Sequence, residues 1–213
     1  MDYICAGDQE SLNKILLHNR EDLEGMVYIS RCMSGLLDAA EGRFDIAGVS
    51  DSGDLSDDLL SASESVLSIQ IVTENPFLSS VSIAYEPTDT KKGIPFSFRA
   101  EGRQAVFSLR SFSGTLKYFF EDYKDYFYLP EEGRAVHRSV GQFVDPAYRE
   151  KAKKETAFEP VEAVFYPQCG PVIRPEFRKS ADDRTGYFRP EDVKDTEALK
   201  DLIKTAFGAA ING

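Results

Sequence analysis

The hydrophobic period of this chain changes once, and that change limits its architecture more than any other feature. Between residues 11 and 40 apolar side chains recur at helical spacing, whereas from Val66 they recur at every second position. A long helix followed by short strands reads as α+β: an N-terminal helical segment, then a mostly antiparallel sheet carrying two or more helices. The change falls across residues 44–65, where Asp51-Ser52-Gly53-Asp54-Leu55-Ser56-Asp57-Asp58 is acidic, serine-rich and poor in apolar residues. That composition predicts a linker between an N-terminal unit, residues 1–43, and an α+β unit, residues 66–213.

At about 100° per residue, Leu12, Ile15, Leu16, Leu23, Met26, Val27, Met33 and Leu37 fall on one broad face of the first segment. Gly25 and Gly35 weaken the helix, and Glu41-Gly42 supplies a stop. A face this apolar needs a cover, either the downstream unit or another molecule. His18 and Asp22, four residues apart, share one edge of the face with Ile29. Asn19 falls near its middle, where an unpaired buried amide costs about 1–3 kcal/mol, so a hydrogen-bond partner is expected. A carboxylate and an imidazole one turn apart at the rim of a core are placed to hold a metal-bound water or a phosphate. An ion pair with no ligand satisfies the same spacing.

Charge is unevenly spread. The 213 residues carry a net charge of −11, and residues 1–60 alone hold 4 Lys/Arg against 13 Asp/Glu. Binding of phosphate backbones rests on basic surface, so unspecific attraction of the whole chain to nucleic acid is not expected. No apolar run reaches the roughly eighteen residues needed to span a bilayer, and there is no leader-like start, which predicts a cytoplasmic protein. Cys5, Cys32 and Cys169 are widely scattered, so neither a disulfide framework nor a structural zinc site is indicated.

In the second unit, Leu67, Ile69 and Ile71 define one face of a strand, and Val81–Tyr85 reads as another. Phe96–Arg99 and Ala105–Leu109 flank Glu101-Gly102-Arg103 as a hairpin, and Leu116–Phe120 follows as a fifth strand. The aromatic tract Tyr118–Pro130 could stack single-stranded bases, but Glu121, Asp122 and Asp125 would repel phosphate and alternating aromatics bury well in a sheet, so structural core is the better reading. Val136, Val140 and Phe143 suggest a helix. Through Lys154 this segment holds Arg134, Arg138, Arg149, Lys151, Lys153 and Lys154 against Asp145 and Glu150, forming the one phosphate-facing candidate, although a solvated helix face is the commoner explanation for such a run. Ala163–Tyr166 reads as a strand. Asp195-Thr196 starts a last helix whose core stripe is Leu199, Leu202, Ile203, Ala206 and Phe207.

The stretch Leu16-Leu17-His18-Asn19-Arg20-Glu21-Asp22-Leu23-Glu24-Gly25-Met26 resembles the last catalytic motif of the YprB-type ribonuclease H-like family, relatives of the DEDD 3'-5' exonucleases. The match is His18-x-x-x-Asp22 in a His-Asn-x-x-Asp context, and Gly7-Asp8-Gln9-Glu10-Ser11-Leu12 is similar to the family's helix start. Phe127-Tyr128-Leu129-Pro130 and Ala135-Val136-His137-Arg138-Ser139 also look like segments of the tail that follows the nuclease domain in that family. The resemblance implies that residues 1–43 are the C-terminal helical remnant of a ribonuclease H-like domain. It implies that Asp22 binds Mg²⁺ or Mn²⁺, that His18 orients the attacking water, and that nucleic acid is the substrate. The family's early Asp-x-Glu motif and its middle Asp have no counterpart here, so no hydrolysis and no metal binding are expected of this chain alone. The alternative is a non-catalytic binding module whose helix 11–40 docks onto a partner or a second copy.

Overall fold

The computed structural model describes residues 9–52, 65–88 and 93–212. It is α+β. Helix α1 (Gln9–Glu41) leads into strand β1 (Phe44–Ser52), which pairs antiparallel with β2 (Val66–Tyr85), itself paired with β3 (Phe96–Arg110). Strands β4 (Phe112–Phe119), β8 (Phe158–Cys169), β9 (Phe177–Arg178) and β10 (Thr185–Phe188) close into a second small sheet. A third comprises β5 (Tyr126–Leu129), β6 (Arg134–His137) and β7 (Glu150–Lys151), with a single helical turn α2 (Arg138–Gly141) after β6. Helix α3 (Thr196–Asn212) ends the chain.

The main core lies between the first sheet and α3. Leu67, Ile69 and Ile71 of β2 and Phe98, Phe107 and Leu109 of β3 are buried there with Leu199, Leu202, Ile203, Ala206 and Phe207 of α3. The expected stripe of the last helix is therefore met in full, and Asp195 caps it by accepting from the Ala198 N–H at 2.8 Å. Phe207 lies over Phe96, Phe98 and Phe107, with the Phe98 ring edge-on at 5.1 Å. A smaller core of Leu116, Phe165 and Phe177 fills the second sheet.

Four expectations are corrected. Residues 44–52 belong to strand β1, not to a linker: Phe44 and Ile46 alternate inward, too brief a pattern to stand out against the acidic residues that follow. Residues 53–64 of the expected linker lie outside the described residues. The two strands expected at 66–73 and 81–85 are one long strand, interrupted by register shifts on either side of Phe77. The expected hairpin is likewise one strand. Gly102, at φ +59°, sits in β3 opposite Phe77 and absorbs the irregularity of its neighbour instead of turning the chain. Finally, Arg134–His137 pairs with β5 as a strand, and helix begins only at Arg138, where His137 Nδ1 accepts from the Ser139 N–H.

Candidate functional site

Helix α1 runs unbroken through Gly25 and Gly35 and stops at Gly42, whose φ of +79° lets the Arg43 N–H return to the Asp38 carbonyl at 2.9 Å. Its buried residues, Gly35, Asp38 and Ala39, all lie in its last two turns. Gly35 lies against the Phe77 ring, near enough that a Cβ there would come within 3.0 Å of it. Asp38 is wholly buried, and its carboxylate accepts from the Asn75 backbone N–H at 2.7 Å, from Asn75 Nδ2 at 3.1 Å and from Arg43 Nε at 2.9 Å. The irregularity in β2 thus builds a socket: it turns Phe77 and Asn75 toward the helix end.

The face held in that socket is not the apolar stripe. Gly35, Asp38 and Ala39, the buried residues of α1, centre roughly 150° around the helix from the stripe that contains Leu23, Met26 and Met33. The stripe consequently points away from the chain's own core. Leu23 is 59% exposed and Met26 58%; even beside the socket Met33 is 45% exposed and Leu37 42%. Apart from Ser11 and Leu12, every residue from Gln9 to Arg31 is exposed. Isolated exposed apolar residues are ordinary on a soluble protein, but a continuous stripe along one helix marks a contact surface.

His18 and Asp22 lie on the free part of this helix. Their expected pairing is present, with Nδ1 3.3 Å from Oδ2, but their side chains are 76% and 62% exposed, so they stand in solvent and not at the rim of a core. The reason is the same: the core that the stripe was expected to meet lies on the other side of the helix. Asn19 is exposed and no described residue hydrogen-bonds its side chain. Among the described residues no third His, Cys, Asp or Glu joins this pair in a group able to hold a metal ion. A hard divalent cation needs several oxygen ligands, and the described residues bring one carboxylate and one imidazole together here.

The basic candidates are dispersed. Arg134 is paired with Glu132 at 2.8 Å and Arg138 with Asp125 at 3.6 Å, while Arg149 stacks over the Phe127 ring at 4.6 Å and donates to the Gly141 carbonyl. Lys151 and Arg138 border a hollow of about 280 Å³, and Lys154 borders another of about 300 Å³ walled by Tyr118, Phe120 and Tyr123. Between these hollows Phe120 and Tyr126 stack at 4.1 Å. The aromatic tract, expected as structural core, is half-buried along the sheet instead, with Leu129 its one buried residue. Burial raises the Tyr126 hydroxyl above its ordinary pKa, aided by the Tyr118 hydroxyl and nearby acidic groups.

The socket residues Asp38, Asn75 and Phe77 have no motif that would announce them. The one sequence signal was a charged residue set among Gly35 and Ala39, a surface narrow enough for close packing. No family model, curated protein or solved structure matches this chain. No helix among the described residues is long and apolar enough to cross a membrane.

Proposed function

We propose that this chain acts in the cytoplasm as a non-catalytic association module, with α1 as its docking element and the three sheets and α3 as the rigid body that holds the helix out. The observation that supports it is the direction of the apolar stripe, turned away from the core and exposed from Ile15 to Leu37. Burying a Leu, Ile or Met side chain fully is worth about 1.5–3 kcal/mol. Seven such side chains, each about half exposed, therefore leave on the order of 7 kcal/mol of burial unrealised until a partner covers them, within the range that association costs. Changing Leu16 and Leu23 together to Asp should abolish association while leaving the unfolding transition of the sheets unaltered. If the double variant associates as the parent does, the stripe is not the docking surface.

A second reading draws on the His18–Asp22 pairing and on the sequence resemblance: the chain is the C-terminal part of a YprB-like nuclease, and the stripe seats the sheet of its ribonuclease H-like domain. Metal-dependent 3'-5' hydrolysis of nucleic acid is then the activity of the assembly, not of this chain. No hydrolysis of labelled single-stranded DNA with Mn²⁺ is expected here. Turnover that disappears in Asp22→Asn would show instead that the site is complete in these residues.

A further inference from the structure

The geometry points to a second copy of this chain as the occupant of the stripe, through a parallel, in-register pairing of two α1 helices. This inference rests on the docking role proposed for α1 and names its partner. From Leu12 to Leu37, alternating steps of four and three residues land in turn on Leu12, Leu16, Asn19, Leu23, Met26, Ser30, Met33 and Leu37, the spacing of a seam between two helices. All eight positions lie inside the single helix α1, a seam about 38 Å long at 1.5 Å per residue.

Three further observations select a second copy over an unrelated surface. Asn19 sits on the seam with an amide that no described residue satisfies. An amide carries both a donor and an acceptor, so the group that satisfies it best in a dry seam is another amide. Parallel, in-register pairing brings Asn19 against Asn19 at the d position of the repeat, where each amide can donate to and accept from the other, whereas a shifted register would leave both facing apolar side chains. The second observation is charge. Although the chain carries −11, residues 9–34 hold Glu10, Glu21, Asp22 and Glu24 against Lys14, Arg20 and Arg31, a balance of −1, and none of the seven lies on a seam position. Two such helices meet with little repulsion. The third is steric: each body hangs from the Gly35, Asp38 and Ala39 side of its helix, so side-by-side helices place the two bodies on opposite flanks. Ile15, Val27 and Ile29 border the seam and would shield its edges.

The test is the mass of the full chain in solution across the micromolar range, by light scattering after size exclusion. Twice the 23.8 kDa of one chain is expected. Leu23→Lys with Met26→Lys should give a monomer with unchanged near-ultraviolet circular dichroism, whereas Leu17→Lys, on the opposite side of α1, should leave the dimer intact. Asn19→Leu should bind at least tenfold more tightly, because an apolar pair replaces a polar one in the seam. In a background with Cys5, Cys32 and Cys169 changed to Ser, Leu16→Cys should oxidise to a covalent dimer. A dimer that Leu16→Cys does not cross-link overturns the parallel register. A parent chain that is monomeric throughout overturns the pairing. That monomer would leave the docking role standing if it takes up a ribonuclease H-like domain in a manner sensitive to Leu23→Lys, and would remove both if the stripe variants behave like the parent in every mixture.

Discussion

Asp38 shows how much one residue can decide. A carboxylate with no exposure and three hydrogen-bond donors around it is stable only while all of them are present, and here they come from α1's own stop and from the irregular part of β2. Asp38→Ala should cost about 2–4 kcal/mol in urea unfolding, because it strands the Asn75 N–H and frees Arg43. The same substitution should speed hydrogen exchange in Gly35–Glu41 before it affects α3. Tyr166 offers a second case. Its hydroxyl donates to Asp51 at 2.6 Å from a fully buried ring, and burial followed by that bond raises its pKa above the ordinary tyrosine value. A pKa raised on folding contributes stability that is intact below the unfolded value of about 10 and is lost as pH climbs through the folded one. Stability should therefore fall above pH 10 more steeply in the parent than in Tyr166→Phe, measured as urea midpoints at matched pH, and the variant should be about 1 kcal/mol weaker near neutrality.

At the scale of elements, the two long helices were legible in the sequence and the strands were legible only in part. Repetition made the difference. Helix α3 shows its stripe over about two and a half turns and buries all of it, and α1 shows its stripe over about seven, so each pattern survives a few exceptions. Strands β2 and β3 read as two pieces each because Gly102 and the residues around Phe77 carry the signals of turns, and only the pairing of both halves with the same neighbour reveals continuity. What the pattern of α1 could not convey was which face its own fold would use. Periodicity locates an apolar stripe, but the socket selects small residues and one acid, Gly35, Ala39 and Asp38, from the other side. The two helical glycines separate these effects. A methyl group added at Gly25 would meet nothing within 4 Å, so Gly25→Ala should raise helicity and stability by up to about 1 kcal/mol where α1 is folded. Gly35→Ala gains the same propensity but drives a methyl to 3.0 Å from Phe77, so its net effect should be smaller or reversed, read as the difference in thermal midpoints.

Across the whole molecule, the pairing of His18 with Asp22 was legible in the sequence but not its setting. His18 and Asp22 do pair, yet they stand on a projecting helix, because a spacing of four residues specifies neighbours on a helix and says nothing of what lies opposite. The same projection separates stability from association. The interior is built from β2, β3 and α3, and the first fully buried residue of α1 is Gly35. A chain beginning at Arg31 should thus keep the socket and unfold within a few degrees of the parent in calorimetry, while losing every association that depends on the stripe. If the shortened chain instead unfolds far below the parent, the projecting turns are part of the cooperative unit in solution. They would then have to be covered there, by a second chain or another partner, and the fall in midpoint should deepen as the parent's concentration is raised, since an interface stabilises by mass action.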